Sequence, residues 1–457
     1  MNMPWTLARQ TARDAAKPLD ATELALPDAL GLALASAVRA LTSQPTCDTS
    51  AMDGYAVAGP GPWTVVGRVA AGDPVPALAL RPGEAFGVAT GAPVPDGSES
   101  VLPVERCSTD GTQLREDHTA PDERGRRNDP TPRRHNGPAP ANRHDHPARA
   151  TGSHQPEPSP PSDRTLRWEA DPSGNRAARR DGTPLGSHEA SPPDDHHEPP
   201  PLGRHIRRRG EDWSAGDELI PAGSLISPAV VGLAAAAGHD TLLAHRRPRV
   251  AVIVTGDELL HTGPPRPGRV RDAIGPMLPG LLTRADLIGT THLRDDASAL
   301  AEALTSDQAD VLVTCGATSV GPADHLRTVL SGLDAEILVS GVACRPGHPM
   351  LLAVLPDGRC VVGLPGNPFA ALAAVLTLLH PLLDTLGGHT TRPPITAWLG
   401  DVPAHPRDTR LIPVTRSGNT AVPVGHDRPG SLWGAALADA LAVVPPGHQG
   451  GEVELLA

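Results

Sequence analysis

Residues 107–203 almost lack aliphatic side chains, and this stretch limits how the rest of the chain can fold. It contains "HTAPDERGRRNDPTPRRHNGPAPANRHDHPARATGSHQPEPSPPSD", which is dominated by Pro, Arg, Asp, Ser, Gly and His. Such a segment cannot bury enough apolar surface to offset the loss of chain entropy. We therefore predict a disordered insertion here, with packed cores only in the parts on either side. Its histidines favour a solvated linker over a metal site.

Composition narrows the class of protein. The 457 residues suffice for two to four domains, and the net charge of -12 argues against a general nucleic-acid binder. Five scattered cysteines without a C-x-x-C pair favour a reduced, cytoplasmic protein over a disulfide framework or a structural zinc site. The first residues, "MNMPWTLARQTARDAAKPL", contain no apolar signal core, and we find no apolar run long enough to span a membrane.

The part before the insertion predicts a small β domain. Residues 21–41, "ATELALPDALGLALASAVRAL", have apolar residues at helical spacing and suggest a helix, or a strand followed by a helix. Later come short apolar pieces separated by Gly and Pro, among them "WTVVGRVAAG", "EAFGVATGAPVP" and "SVLPVE". These pieces are typical of β-strands.

The part after the insertion alternates strands and helices. "PRVAVIVTGDEL", "ADVLVTCGATSVG" and "CVVGLPGNP" each look like a buried strand that ends in a polar or glycine-rich loop, and "ASALAEALTSDQ" looks like an amphipathic helix. This alternation predicts a doubly wound parallel sheet with ligand loops at the carboxyl ends of its strands. From about residue 392 short β pieces return, which predicts a small C-terminal barrel or sandwich.

Polar residues follow several of these strands. Asp257 and Glu258 end the first, Asp295 and Asp296 head a helix, and Gly366 and Asn367 precede another helix. Each alone has an ordinary explanation, such as a helix N-cap or a tight turn. Together, small-residue loops, helix N-termini and nearby carboxylates suit a phosphorylated substrate with Mg²⁺.

The motifs also resemble one family. "DTSAMDGYAV", "ATGAPVPDGSESVLPVE", "IRRRGEDWSAGDELIPAGSLI", "VAVIVTGDEL", "TSVGPAD", "RPGHP" and "GLPGNP" occur in the order found in the MoeA type of molybdopterin molybdenumtransferases, which is related to the gephyrin E domain. The resemblance covers nearly everything except the insertion. A set of motifs in the correct order is far more specific than any single one.

The resemblance implies an α/β plus β multidomain fold with a C-terminal β-barrel-like domain. The expected divisions are a linker domain from residues 5–45 and 204–246, a β domain at 46–106, the insertion at 107–203, a molybdopterin-binding α/β domain at 247–391 and a C-terminal β domain at 392–457. It also implies an elongated homodimer and contact with a molybdopterin adenylyltransferase. No nucleic-acid or membrane partner is expected.

The implied reaction converts adenylylated molybdopterin and molybdate into molybdenum cofactor, with Mg²⁺-dependent release of AMP. The residues that match the family's catalytic acids are Asp53, Glu258, Asp295 and Asp324, of which Asp53, Glu258 and Asp324 are expected to hold the metal. Asp53 is expected to cross the dimer interface. The matching substrate-binding residues are Thr90, Arg207, Asp212, Gly316, Ser319, Gly321, Arg345, His348, Gly366 and Asn367.

Four positions depart from the family pattern. Ala317 replaces a glycine in the glycine-rich loop, where an added Cβ could obstruct a ligand or a positive φ. Arg345 and His348 replace two lysines, which changes hydrogen-bond geometry and, for the histidine, makes the charge partial near neutral pH. An expected asparagine is missing at Ile274, and the insertion interrupts a strand-rich segment.

These departures leave alternatives open. Besides an active transferase, the chain could be a non-catalytic molybdopterin-binding or scaffold paralogue. An unrelated Mg²⁺-dependent phosphoryl-transfer enzyme on a similar sheet is the third possibility. The surviving carboxylates favour the first and the altered loops the second.

Overall fold

A computed structural model of the chain describes residues 2–117, 201–306, 308–316, 318, 325–391 and 393–456. The fold divides into two compact units, one formed by Met1–Thr49 with Arg207–Ala457 and the other by Ser50–Ile206. Each unit is described by itself. Most of the predicted insertion, residues 118–200, lies outside the described residues.

A six-stranded sheet organises the first unit. We number its strands in chain order: β1 (Arg249–Thr255), β2 (Asp286–Leu293), β3 (Val311–Cys315), β4 (Glu336–Val339), β5 (Leu351–Val354) and β6 (Cys360–Leu364). Their spatial order is β2-β1-β3-β6-β5-β4. The β2, β1, β3 and β6 pairings are parallel, and β5 runs antiparallel to both β6 and β4. The predicted parallel α/β sheet is confirmed, with two antiparallel pairings at one side.

The central strands are apolar along their whole length because both of their faces are covered. Every residue of β3 and β6 is buried. Burying one Val or Leu side chain contributes about 1.5–3 kcal/mol, so this ladder supplies much of the driving force for folding the domain. Helices Ala297–Ser306 and Leu326–Gly332 belong to the layer on one face.

The other face is covered by the helical segment Pro368–Leu386 and by an N-terminal helix, Trp5–Asp14. The long segment contains a π-helical turn at Val375–Leu379, and the Trp5 indole N–H donates to the buried Thr377 hydroxyl at 3.1 Å. Trp5 therefore packs in the α/β core. The amphipathic Trp5–Asp14 helix, which lies in the segment expected to start the linker domain, buries its apolar face against this core.

Contrary to the expectation that no apolar run is long enough to span a membrane, Pro368–Leu386 has the length and composition to do so. However, 78% of its most apolar window is buried inside the protein. A helix that covers one face of a sheet needs such a composition, because neighbouring side chains surround it. We interpret it as a core helix.

The linker region consists of small sheets and one helix. Its elements are the strands Ala21–Ala25, Ala33–Leu34, Val38–Arg39, Glu218–Ile220 and Thr241–His245 and the helix Pro228–Ala236. Residues 21–41 do not form the predicted helix. Pro27 and Gly31, the latter at φ +81°, interrupt the apolar pattern and turn the chain after its first strand.

The C-terminal domain is a barrel-like sheet, as predicted. Its strands are Ile395–Leu399, Thr409–Ser417, Thr420–Pro423, Ala440–Val444 and Gly451–Leu456. Thr409–Ser417 pairs with both Thr420–Pro423 and Ala440–Val444, which closes the sheet on itself. The strands Val342–Arg345 and Met3–Pro4 extend its edge.

The second unit contains a six-stranded sheet. Its strands, in spatial order, are Cys107–Asp110, Gln113–Glu116, Trp63–Val69, Glu84–Val88, Gly54–Val57 and Ser100–Pro103. The apolar pieces predicted as strands are confirmed. The first two strands correct the predicted boundary of the insertion: residues 107–116 form a hairpin that buries Leu114 against Trp63. Leu114 and the partly buried Cys107 are the side chains that anchor this hairpin, too few for its composition to reveal it.

The five cysteines are free. Burial raises the pKa of the Cys344 thiol to about 12 and that of Cys360 to about 11. Such thiols are poor nucleophiles, because the reactive form is the thiolate. The expectation of a chain without a disulfide framework is confirmed.

One ion pair joins the linker to the sheet. Arg246 donates two hydrogen bonds, of 2.7 and 2.8 Å, to the Asp310 carboxylate, and the Arg249 amide adds a third at 2.7 Å. Burial alone raises the pKa of Asp310, but the hydrogen bonds from Arg246 and Arg249 and their charges outweigh burial and lower it. The ionised carboxylate therefore fixes the start of β1 beside that of β3.

We predict that Gly54→Ala destabilises the second unit by about 1–3 kcal/mol, because a Cβ at Gly54 would lie 1.9 Å from the Leu102 carbonyl oxygen. Urea denaturation measures the loss. Gly87→Ala, in the same sheet, is the matched control, since its Cβ would meet no atom closer than the Arg68 side chain at 3.4 Å, which is ordinary van der Waals contact. Equal stability of the two variants would contradict the strand pairing.

We predict that Asp310→Asn lowers the free energy of unfolding by about 1–2 kcal/mol at neutral pH, a range that allows for solvent screening of the exposed Arg246 side chain. The pKa of Asp310 is lower in the folded than in the unfolded protein, where it is about 3.9. The extra stability of the wild type is therefore complete above the unfolded pKa and is lost as the pH falls through the folded pKa. Unfolding titrations between neutral pH and about pH 2 measure it. Glu336→Gln, which changes an exposed carboxylate, should run parallel to wild type.

Candidate functional site

The loops that follow β1, β2, β3 and β6 share one edge of the sheet. The parallel register places Thr255 beside Leu293, and Cys315 beside both Val254 and Leu364. The chain therefore leaves all four strands at nearly the same level. This is the edge where doubly wound sheets bind their ligands.

Glu258 folds back over the loop after β1. Its side chain is exposed, and a Cβ built on Gly256 would lie 2.9 and 3.0 Å from its two carboxylate oxygens. Gly256 has φ +144°, a conformation that L-residues with side chains rarely adopt. Glycine at this position therefore holds a solvent-accessible carboxylate at the edge of the sheet.

The two acids after β2 have different roles. Asp296 accepts a hydrogen bond from the Ala299 amide at 2.7 Å and caps helix Ala297–Ser306. Asp295 is half-buried and accepts one from the Asp257 amide at 3.3 Å. Asp295 thus connects the loops after β1 and β2. The choice of Asp295 as the site residue is consistent with this geometry, and the N-cap explanation applies to Asp296.

Small residues allow the loops after β3 and β6 to approach each other. The Gly316 amide donates to the Leu364 carbonyl at 3.0 Å, and a Cβ on Gly366 would lie 3.9 Å from the Gly316 Cα. Gly316 has φ +93°, and its own Cβ would come within 3.1 Å of Thr255. These two predicted site residues meet, and they leave a shallow surface lined by backbone.

The helix that starts after Asn367 differs from the expectation. Its N-terminus was interpreted as part of an anion site, yet the amides of Phe369 and Ala370 donate to the Pro429 carbonyl at 2.9 and 3.3 Å. Pro368 has no N–H to offer. This corrects the anion-site interpretation for these helix amides, because a carbonyl of the C-terminal domain occupies two of them. Gly366 and Asn367 themselves are exposed.

Arg345 and His348 lie on a loop that packs on the same helix. A Cβ on Gly347, between them, would lie 3.5 Å from the Ala370 carbonyl. Arg345 donates from Nε to Asp408 at 2.7 Å, and the Asn2 amide lies 3.2 Å from the His348 ring nitrogens. Both cationic residues are exposed beside the sheet edge, and both already contact side chains of the protein.

The carboxylate of Asp408 offsets part of the positive charge of Arg345 and His348. Burial raises the pKa of Asp408, but the Arg345 hydrogen bond and the charges of His405, Arg345 and His348 lower it overall. The carboxylate is thus ionised at neutral pH and neutralises part of the positive charge. Sequence reasoning did not identify Asp408, because no motif connects "HPRDTR" with "RPGHP".

Arg207 and the next arginine, Arg208, are paired with carboxylates within the first unit. Arg207 donates to Asp212. Arg208 donates to Asp48 at 2.5 Å, and the Arg209 amide donates to the same carboxylate at 2.8 Å. Arg207 and Asp212 are therefore partners of each other, as far as the described residues go.

The second unit brings two predicted residues together. Asp53 is exposed at the start of Gly54–Val57, and its Oδ1 accepts a hydrogen bond from the Thr90 amide at 2.8 Å. The Val104 amide donates to the Asp53 carbonyl at 3.0 Å. These two amides hold the Asp53 backbone and one carboxylate oxygen in place. The structure thus brings the "SAMDGYA" and "ATGAP" motifs into direct contact, which the sequence analysis did not predict.

Four other residues of the sequence analysis lie outside the described residues: Asp324, Ser319, Gly321 and Ala317. The described site therefore consists of the acids Glu258 and Asp295, the glycines Gly316 and Gly366, and the cationic loop of Arg345 and His348. A groove of about 720 Å³ lies elsewhere in the first unit. It is lined by Arg9, Arg13 and His380 among others, and none of the predicted site residues is among them.

Comparison with protein families gives two matches. The model described as "MoeA N-terminal region (domain I and II)" matches residues 3–144 and 175–238. The model described as "Probable molybdopterin binding domain" matches residues 251–385. The second match coincides with the sheet that carries the site.

Curated relatives carry one name. The molybdopterin molybdenumtransferase of Staphylococcus epidermidis is 30% identical over 260 residues, which cover 54% of this chain and 61% of the relative. That of a Nostoc species is 33% identical over 196 residues, which cover 41% and 45%. The matches thus span less than two thirds of either relative.

Solved structures show the same fold. Two structures of the molybdopterin biosynthesis MoeA protein from Pyrococcus horikoshii align with all of this chain at TM-scores of 0.68 and 0.70 and identities of 23% and 20%. The expected MoeA-like multidomain fold is confirmed.

We predict that Asp296→Ala lowers stability by about 0.5–2 kcal/mol through loss of the helix cap, and that Asp295→Ala costs less. Asp296→Asn keeps a cap and should match wild type. Chemical denaturation of the three variants measures the difference. A larger loss for Asp295→Ala would reverse the two roles.

Proposed function

Because the chain belongs to the MoeA family, we propose that it acts in molybdenum cofactor biosynthesis as a transferase that inserts molybdate into adenylylated molybdopterin and releases AMP. The observation that supports this most directly is the arrangement of Glu258 and Asp295 beside the contact of Gly316 with Gly366. It combines carboxylates, small-residue loops and a cationic loop at one sheet edge.

Mg²⁺ suits the donor set, because Glu258 and Asp53 offer exposed carboxylates and Mg²⁺ prefers a few carboxylates together with substrate phosphates. In the proposed site, Glu258 would hold the ion together with Asp324 and Asp53. When bound, Mg²⁺ would neutralise charge on the phosphate oxygens and polarise the scissile bond.

The protein's own groups have separable roles in this proposal. Glu258 orients the attacking water and accepts its proton as the bond to AMP breaks. Asp295 keeps the loop of Glu258 in position through the Asp257 amide. Arg345 and His348 attract the anionic substrate, and Asp408 limits how strongly they hold it.

The assembled form is part of the proposal. We infer a cytoplasmic homodimer in which Asp53, held by the Thr90 amide, is delivered by the second copy. An adenylyltransferase partner would supply the adenylylated pterin. A carboxylate delivered in this way couples activity to dimerisation.

A second function is favoured by one observation. Arg345 and His348 contact Asp408 and Asn2 within the protein, which reduces their availability to a substrate. A carrier that binds molybdopterin without releasing AMP would tolerate this arrangement. Measuring AMP release together with pterin binding separates the transferase from the carrier.

We predict that the protein, given adenylylated molybdopterin, molybdate and Mg²⁺, releases AMP and forms molybdenum cofactor in equal amounts. Glu258→Gln and Asp53→Asn should each lower the rate by about 10²-fold or more, the scale of a lost acid–base group. AMP is measured by chromatography, and cofactor by reconstitution of an apo-molybdoenzyme.

Asp296→Asn is the control for these variants: it is a neighbouring acid that caps a helix, and it should keep full activity. Pterin binding without AMP release in the wild type would favour the carrier. Absence of both binding and turnover would overturn the proposal.

A further inference from the structure

Two histidines and a buried aspartate meet beside the sheet edge. The side-chain donor atoms of His261, Asp272 and His292 all lie within 4.8 Å of one another. His292 Nε2 is 3.6 Å from Asp272 Oδ2, and the two imidazole rings are 4.0 Å apart between centroids, tilted by 64°. None of the three belongs to the acids that the proposed reaction uses.

The backbone brings the three residues together from distant parts of the chain. His261 follows the short strand Leu259–Leu260, which pairs in parallel with Val270–Arg271. The Asp272 amide donates to the Leu260 carbonyl at 3.0 Å and continues that ladder. His292 is the penultimate residue of β2. The cluster therefore rests on regular strand pairing.

The carboxylate of Asp272 is buried and fixed in one orientation. Only 6% of its surface is exposed, and its Oδ1 accepts hydrogen bonds from the Ile274 and Gly275 amides at 3.0 Å each. Its Oδ2 faces His292 and lies over Gly275, where a Cβ would come within 2.5 Å. One oxygen is thus locked by the backbone, and the other is directed at the imidazoles.

The chemistry of the donors selects the ligand. Two imidazoles and one carboxylate form the three-ligand set of an open zinc site, in which a fourth position takes water or substrate. Tetrahedral bonds of about 2.0–2.2 Å place donor atoms roughly 3.3 Å apart, close to the distance between Asp272 and His292. The His261 side chain is exposed and can rotate to bring its ring nitrogen within bonding distance of the ion. Mg²⁺ prefers oxygen-only ligands, so it would not compete.

We propose that His261, Asp272 and His292 bind a divalent transition-metal ion of the zinc type, at a site separate from the carboxylates of the proposed reaction. The three residues line a cavity of about 150 Å³ together with Arg271. Arg271 donates to the Leu260 carbonyl at 3.2 Å. A guanidinium in that wall favours an anion as the fourth ligand.

The site would also stabilise the loops nearby. Metal bound by His261 and Asp272 on one side and by His292 on the other would join the segment after β1 to the end of β2. These are the elements that carry Glu258 and Asp295. Zinc should therefore raise the melting temperature of the folded protein, since it binds that state preferentially.

The test uses the full-length, untagged protein and Zn²⁺ in competition with a chromophoric chelator. The chain has 20 histidines, so weak binding elsewhere is expected and the informative quantity is the difference between proteins. Asp272→Asn is the sharpest variant, because its amide oxygen can still accept both backbone hydrogen bonds while its NH₂ group cannot bind metal. His292→Ala removes a second ligand, and His448→Ala, in the C-terminal domain, is the matched control.

We expect the wild type and His448→Ala to bind one Zn²⁺ with the same affinity. Asp272→Asn and His292→Ala should weaken that site by at least about 10–100-fold and lose the zinc-dependent thermal shift. Co²⁺ in the wild type should give visible ligand-field absorption that both variants lack. Equal Zn²⁺ affinity in all four proteins would overturn the proposal, whatever the result of the AMP assay.

Discussion

The parallel register of β1, β3 and β6 is the constraint on which the site depends. The buried valines and leucines of these strands fit only when Val254, Cys315 and Leu364 lie side by side, and this alignment starts each following loop at the same level. The Arg246–Asp310 ion pair fixes the opposite ends of β1 and β3. A slip of one residue would exchange the two buried faces of a central strand, disturb the packing on both sides of the sheet and separate Glu258 from Asp295.

Glycines and aspartates have different roles at that edge of the sheet. Gly256, Gly316 and Gly366 let backbones and one carboxylate approach closely, whereas Asp295 and Asp296 fix loop and helix by accepting amide hydrogen bonds. The site is therefore positioned mainly by backbone. Its side chains are exposed, so their chemistry can vary without disturbing the fold, and the replacement of family lysines by Arg345 and His348 fits that freedom.

Hydrophobic pattern and motif order were sufficient to predict the α/β sheet, the small β domain and the barrel. They were insufficient where a few contacts decide the structure. The Cys107–Glu116 hairpin is anchored by Leu114 and the partly buried Cys107. The Trp5–Asp14 helix is placed by the indole hydrogen bond, the Arg9–Glu454 ion pair and a narrow apolar face. Residues 21–41 lose their helix to Pro27 and Gly31. Long-range pairs such as Arg345 with Asp408 leave no local signal in a single sequence.

The cluster of His261, Asp272 and His292 illustrates the same limit and gives it a functional meaning. Thirty-one positions separate the two histidines along the chain, so no spacing rule connects them; only the pairing of Leu259–Leu260 with Val270–Arg271 and the end of β2 do. A buried carboxylate with one oxygen satisfied by two amides and the other facing imidazoles is costly unless a cation or a protonated partner balances it. A metal ion supplies that balance and at the same time fixes the loops that carry Glu258 and Asp295, so occupancy of this site would adjust the geometry of the neighbouring one.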